Sequence, residues 1–539
     1  MSIFLSPGVF VTETDISDVV PALSTSSAAI VGYSAKGSAS EIVLVTTDKQ
    51  FIEEYGQPDS ASGHYFHYAA LAYLARGKVL YCLRTINGAL YGGLNIMSSA
   101  SSEVNASFAA GSSVSTFAAP SGLAADVLFQ VFGANQGVWD DRVGILIQNV
   151  KDGTDLVATD QYTFEIVVYY QDDDGNYAQV ELFKVSRKDK VDGFGKALYL
   201  EDRINGVSKY ITVADSALAD TVVPKVQATR LDLYGGSDGS TPSAGDFVNS
   251  WDEFINPDDV DVRILINGGE TEAAVQTKIR AVAEARADCI ALLDIPWASV
   301  NSVTDMVTFR TTTQNFNSSY CGLYTAWLQI YDSYNDVLLY VPSSGHIAGA
   351  YAYNDYAGHV WDAPAGFNRG QLDVLGVSYI FTEGERDTLY TSQINPIQLF
   401  RGEGIVIWGQ KTLQTKSSAL SSINVRRLLI VLEKAMAISL RRFVFEGNSE
   451  ITRFRVKALL DEYLETLSSQ GAFQTEAGDG GFHVLCDTTN NTPATIDNLE
   501  LNVDVFIKPI RAAEYIHLQT IVTKSGASFN ELISRGVMF

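Results

Sequence analysis

Two alternating apolar runs near the end of the chain constrain its architecture more than any other feature. Leu501, Val503, Val505 and Ile507 alternate with Asn502, Asp504 and Phe506, which is the period of a half-buried strand. Beyond Pro509, Ile516, Leu518, Thr520 and Val522 share one face while Tyr515, His517, Gln519 and Ile521 share the other. The spacing predicts an antiparallel pair, joined by Phe482 to Asp487 into a small sheet. Such a sheet has an open edge, and its unpaired N–H and C=O groups must be covered or used for pairing.

At 539 residues the chain is too long for one core, so two to four domains are expected. A hydrophobic content of 46% with 19% charged residues is that of a folded globular protein. No run of about 18 uncharged apolar residues occurs, and MSIFLSPGVF lacks a basic region followed by a long apolar stretch, so neither export nor membrane insertion is expected. Cys82, Cys289, Cys321 and Cys486 sit among apolar residues without C-x-x-C spacing. They read as reduced core residues, which suits assembly in a cytoplasm.

The net charge of −25 argues against nucleic acid as a main partner, because phosphate contacts need a basic field. Charge is unevenly placed. Residues 401–460 carry eleven Lys/Arg against four acids, a local +7, whereas residues 151–270 carry 23 Asp/Glu against 11 Lys/Arg, a local −12. The first segment suits an acidic surface and the second suits water.

Residues 1–25 form a Pro/Gly-bearing arm with a short strand signal, Val9 and Val11 against Phe10 and Thr12, too short to fold alone. Strands are predicted at Ala28 to Gly32, Ile42 to Thr46 and Val79 to Arg84, with a helix from Gly63 to Arg76, together an α/β unit. Residues 88–125 turn to Ser, Ala and Gly and read as linker and loop. A β-rich stretch follows, with strands at Val143 to Val150, Thr163 to Tyr170, Gln179 to Val185 and Lys209 to Val213 and a hairpin turn at Asp172 to Asn176. The α/β signal then resumes: strands at Val262 to Asn267, Cys289 to Leu293 and Val337 to Val341, helices at Thr271 to Arg286, Val303 to Gln314 and His346 to Tyr356.

From about Asn395 a final unit begins. Its helix from Ile423 to Phe445 carries Val425, Leu428, Leu432 and Leu440 at helical spacing, while Arg427, Lys434 and Arg441 recur every seven residues. That basic stripe is either a solvated face or a partner-facing one. A second helix is predicted at Ile451 to Ser468, and Ser528-x-x-Glu531 has the form of a capping box.

Signs of chemistry are sparse. His64 and His67 are three apart on a predicted helix but have no carboxylate or cysteine companion there, so no metal site is expected. Ser344-Gly345-His346 sets a hydroxyl near an imidazole, and Ser344 reads as a helix N-cap. Asp172-Asp173-Asp174-Gly175-Asn176 lacks the alternate spacing and terminal Glu of a calcium loop. No nucleotide-binding fingerprint occurs in strand-to-helix context, and no cofactor is expected.

In order, LSPGVFVTET, STSSAAIVGYSAKG, FIEEYGQP, LRTI, QGVWDDRVGILIQ, VPSSGHIAGAYAYNDYAGHVWDAPAG, INPIQLFRGEGIVIWGQKTL, NVRRLLIVLEKA, RRFVFEGN, CDTTNNTP, VFIKP and AEYI are present. This succession resembles the contractile-tail sheath proteins of bacteriophages (the myovirus tail sheath family) over nearly the whole chain. It departs from them at Asp140-Asp141, where Gly-Asn is common. The resemblance is clearer to these than to type VI secretion sheaths. The inserted region is too short for the additional outermost domain of the larger sheaths.

The resemblance implies a non-enzymatic α+β multidomain protein: an N-terminal linker arm over 1–25, a discontinuous middle α/β domain over 26–89 plus 236–394, an inserted outer β domain over 90–235, an inner C-terminal α/β sheath-core domain over 395–524, and a C-terminal linker arm over 525–539. It implies six-fold rings around a tail tube, contraction that drives the tube through the host envelope for genome delivery, and baseplate and tail terminator proteins as partners. The virion tail is the implied location, after assembly in the host cytoplasm. Inter-subunit strand pairing is expected of Gly8, Val9, Phe10, Val11 and Thr12 with a neighbour's Val503, Val505, Ile516 and Leu518, and a second linkage of the residues after Ser525, Phe529 among them. Arg426, Arg427, Lys434, Arg441 and Arg442 are expected to face the tube. The same motifs would serve the sheath of an R-type bacteriocin or another contractile injection system. A hydrolase using Ser344 and His346 is the enzyme alternative.

Overall fold

The computed structural model describes residues 26–515, apart from 103, 108–111, 119–125, 156–160, 173–174 and 477–478. The fold is mixed α/β and multidomain. Its centre is a seven-stranded sheet in the order Ile394–Asn395, Cys321–Tyr324, Ile290–Asp294, Ile264–Ile266, Ser27–Gly32, Val79–Arg84, Val43–Val45. All neighbours run parallel except the last, with Ala28 beside both Ile264 and Leu80. Ser27–Gly32 is buried along its whole length, as a central strand covered on both faces must be.

Phe66–Leu74 and Ser344–Ala357 pack on one face of this sheet, and Ala244–Asp252 with Ala273–Arg286 on the other. The first two helices approach closely because Gly345 and Gly349 face Ala69 and Ala72. A Cβ at Gly345 would lie 2.4 Å from the Ala69 carbonyl oxygen.

Strands on both sides of residues 93–232 share the central sheet, and those between form two antiparallel sheets. One orders Ile211–Asp215, Val127–Gly133, Gly93–Met97, Ala106–Ser107; the other Leu231–Asp232, Val143–Gln148, Thr163–Gln171, Tyr177–Ser186. Their facing sides share one core, with Phe129 stacked on Phe164 at 5.6 Å. Arg84 ties this region to the central sheet. Fully buried, its guanidinium donates to the carbonyls of Ser34, Ala35, Gly37 and, across the junction, Gln136.

Three expectations need correction. Within the stretch read as linker, Gly93–Met97 is a wholly buried strand, its signal hidden because the residues around it are small and polar. Val337–Val341 does not join the parallel sheet but pairs with Leu328–Asp332 in a separate antiparallel sheet, and Cys321–Tyr324 takes the parallel place. The helix predicted to Phe445 ends at Leu440, and Phe445 lies at φ 72°, beyond a helical turn at Arg441–Phe443.

The C-terminal unit packs Ile423–Leu440 and Glu450–Ser469 against the antiparallel pair Phe482–Leu485 and Asp504–Ile507 around Leu428, Leu432, Val456, Leu460 and Val484. The second helix is capped by Ser449, whose hydroxyl accepts from the Thr452 amide at 3.2 Å. The run expected to be extended from Leu501 enters the ladder only at Asp504. Asn491 intervenes, its side chain accepting from the Asn502 amide at 2.7 Å and donating to the Asn502 carbonyl at 2.9 Å. The partner of Asp504–Ile507 is Phe482–Leu485, and residues 516–522 of the second run lie outside the described residues.

Candidate functional site

The basic helix and the small sheet of the C-terminal unit hold the described residues expected to act. Seven-residue spacing lays one row of the helix Ile423–Leu440 against the central body. Arg427 Nη2 lies 2.6 Å from Asp355 Oδ2, with its guanidinium over the Tyr351 ring. Lys434 Nζ reaches Asp261 Oδ1 at 2.8 Å and Asp288 Oδ2 at 2.5 Å. Burial opposes ionisation of Asp261, but Lys434 and Arg263 outweigh it and hold that carboxyl below its usual range. Arg426 donates to Ser319 Oγ at 2.6 Å and covers the Tyr320 ring.

Asp261, Asp288 and Ser319 precede three adjacent strands of the parallel sheet, Ile264–Ile266, Ile290–Asp294 and Cys321–Tyr324. The stripe is therefore an intramolecular dock, which corrects the expectation of a free basic face for Arg426, Arg427 and Lys434. Their acidic and hydroxyl partners are in the same chain. Arg441 and Arg442 remain exposed, Arg441 near Asp258 at 3.6 Å.

The connection after those two arginines and the start of the second helix expose apolar side chains. Val444, Phe445, Ile451 and Phe454 are exposed around the connection between the two helices. Ile451 and Phe454 lie off the row of the second helix that carries Val456, Leu460 and Leu464 into the core. Their spacing alone was the available signal.

In the small sheet, Val503 and Val505 pack partly against the C-terminal core, while Phe506 is 58% exposed. Among the described residues, no strand pairs with the second edge of Asp504–Ile507. Gly8, Val9, Phe10, Val11, Thr12, Ile516, Leu518 and Phe529 lie outside the described residues.

Ser344 is wholly buried, and its Oγ lies 2.6 Å from Asp294 Oδ2 and 3.1 Å from the Gly268 amide. It is not the N-cap. Asp294 plays that part, its carboxylate accepting from the Ser344 amide at 2.8 Å. Burial lowers His346 to about 4, leaving it neutral, and no bond joins it to Ser344. Burial also removes the hydroxyl from any substrate, so this cluster closes the end of the sheet instead of serving as an active site. Asp172 accepts from the Asn176 amide at 2.7 Å in the turn joining Thr163–Gln171 to Tyr177–Ser186, as a hairpin requires.

Residues 241–413 match the phage tail sheath protein central domain, and residues 415–523 match the phage tail sheath C-terminal domain. The chain belongs to the contractile-tail sheath family. It is 33% identical over 369 residues to the tail sheath protein of Enterobacteria phage T4, covering 64% of this chain and 54% of that one. To the tail sheath protein of Vibrio phage KVP40 it is 30% identical over 365 residues, with 63% and 52% covered. This sheath-family chain thus spans about half the length of the curated relatives it matches.

The fold extends further than the identity. The anti-feeding prophage helical sheath in its contracted state superposes with a TM-score of 0.55 at 17% identity over 96% of this chain and 99% of that one. A sheath tail protein from Listeria innocua gives 0.57 at 11% identity, over 91% and 93%. No helix among the described residues is long and apolar enough to cross a membrane.

Proposed function

We propose that this sheath-family chain is a structural subunit that polymerises with itself as six-fold rings around a tail tube, and contracts to drive the tube through a host envelope during genome delivery. The observation that carries the reading is the second edge of Asp504–Ile507, unpaired among the described residues and presented by a C-terminal unit clamped to the central body. An added strand would supply backbone hydrogen bonds that survive rigid-body rotation of the subunits. Gly8 to Thr12 of a neighbouring subunit is that strand, added to the sheet that carries Val503, Val505, Ile516 and Leu518, and the residues after Ser525, Phe529 among them, make a second linkage. Contraction would draw on subunit surfaces that bury more area in the shorter lattice. At about 25 cal/mol per Å², a few hundred Å² of apolar burial gives several kcal/mol per subunit before opposing costs.

The domain limits given above follow from the same reading, with the acidic 90–235 region outermost. Tube-facing charge falls to Arg441 and Arg442, which are exposed, whereas Arg426, Arg427 and Lys434 are turned against their own chain. The tube, the baseplate and a tail terminator are the partners, and the virion tail, assembled in the host cytoplasm, is the location. Likeness of fold to the anti-feeding prophage sheath favours a second setting, a non-viral contractile injection device built from the same parts.

Negative-stain electron microscopy of the full chain at rising concentration tests the reading. Hollow, helically striated tubes are expected, and deletion of residues 1–20 is expected to leave soluble monomer. Normal tubes from the deletion would remove strand exchange from the account. Extended assembly on the tube that survives Arg441→Glu with Arg442→Glu would remove the tube-facing role.

A further inference from the structure

A groove of about 640 Å³ opens where the chain enters the central sheet. Its lining includes Arg76, Lys78 and Arg369 with a single carboxylate, Asp373, together with the exposed rings of Tyr353 and Tyr356. Arg76 covers Tyr353 and pairs with Asp373, Lys78 covers Tyr356, and Arg369 lies 3.3 Å from Asp362. A cationic groove with an aromatic floor stands out on a chain of net charge −25. Ser26 forms one wall, its carbonyl held by the Tyr73 hydroxyl. Gly77 allows this, because a Cβ there would sit 2.4 Å from the Tyr73 ring.

Ser26 lines the groove, so the 25 residues that precede it in the sequence are tethered at the groove's wall. They carry Glu13, Asp15 and Asp18 and no Lys or Arg, followed by Val19, Val20 and Leu23. Asp18 is eight residues from Ser26, a reach of roughly 28 Å when extended, ample for the groove. We propose that the groove seats the chain's own segment Glu13 to Leu23, acids beside Lys78 and Arg369 and apolar residues against Tyr353 and Tyr356. Attachment to the same chain gives that segment an effective concentration on the order of millimolar, against which a second copy at micromolar concentration competes poorly. Seating it would fix the direction in which residues 1–12 leave the subunit. The inference concerns one copy of the chain and does not rest on the sheath reading.

Amide hydrogen exchange of the full chain at low salt tests it. Peptides covering 13–25 are expected to exchange at least ten-fold more slowly in the natural chain than in Lys78→Glu/Arg369→Glu, and to lose that protection in 1 M salt. Adding Asp15→Lys/Asp18→Lys to the Glu variant is expected to restore protection. Equal exchange in the natural and Glu chains, or failure of the swap to restore it, overturns the proposal. Lys78 and Arg369 are exposed, and an unchanged Tm verifies the fold, with Lys78→Ala/Arg369→Ala as a milder pair. The four native cysteines are buried, so Ser17→Cys with Asn368→Cys reports on the occupant through oxidation. An intrachain disulfide is expected; disulfide-linked dimers would assign the groove to another copy's arm, and no disulfide would empty it, either of which overturns the proposal.

Discussion

Arg427 and Asp355 form an ion pair at 2.6 Å in which both side chains are almost wholly buried, joining the helix Ile423–Leu440 to the helix Ser344–Ala357. Removing one partner strands the other charge in a buried site. Arg427→Ala is expected to lower unfolding stability by about 3–5 kcal/mol. Arg441→Ala, at an exposed pair 3.6 Å from Asp258, is expected to change it by about 1 kcal/mol or less. Denaturant unfolding of unassembled protein measures both, and equal effects would contradict the buried-dock account.

The close crossing at Gly345 carries its own penalty for added bulk. Gly345→Ala places a methyl group 2.4 Å from the Ala69 carbonyl oxygen, so backbone must shift. A loss of about 1–3 kcal/mol is expected from overpacking, despite the better helix propensity of alanine. Gly384→Ala, where nothing lies within 4 Å, is the control and is expected to be neutral or stabilising.

Asp140 is fully buried, and burial raises its pKa well above the ordinary carboxylate value of 3.8. The unfolded carboxyl loses its proton near that value, whereas the folded one keeps it to higher pH. In the interval the native state binds more protons, so stability falls as pH rises through it. Asp140→Asn keeps an acceptor for the Gly92 amide, which lies 2.9 Å from Asp140 Oδ2, and carries no charge. Its Tm is expected to exceed that of the natural chain at pH 7.5, with the gap closing toward pH 4. A gap independent of pH would refute the assignment.

Phe445 is exposed and sits at φ 72°, a left-handed conformation costly for a bulky residue. Phe445→Gly relieves the backbone at no loss of core, so Tm is expected to hold or rise. In the proposed assembly the same change is expected to weaken polymerisation, since Phe445 follows the exposed Arg441 and Arg442 in the chain and its ring is itself exposed. Sedimentation at matched concentrations measures it, and unchanged assembly would leave the strain unexplained by contact.

Strands and helices with a strong local period were legible before any fold was known. Val79–Arg84 and Val337–Val341 fall on their predicted residues, and Ala273–Arg286 and Glu450–Ser469 lie within two residues of theirs. Gly93–Met97 escaped because only five residues carry it, among small and polar neighbours. The basic stripe was visible as spacing, but the identity of what it meets was not.

What the sequence by itself determined is what depends on neighbours within a turn or a pleat: the type of the strongly periodic elements, the apolar setting of the cysteines, the acidic balance and, through the order of its motifs, the sheath family. What only the tertiary structure decided is who meets whom at a distance. Lys434 finds Asp288 and Asp261, 146 and 173 residues earlier, because the parallel sheet sets the starts of adjacent strands side by side under one helix. No local pattern encodes that adjacency, since it exists only once the chain has closed the sheet and buried both its faces.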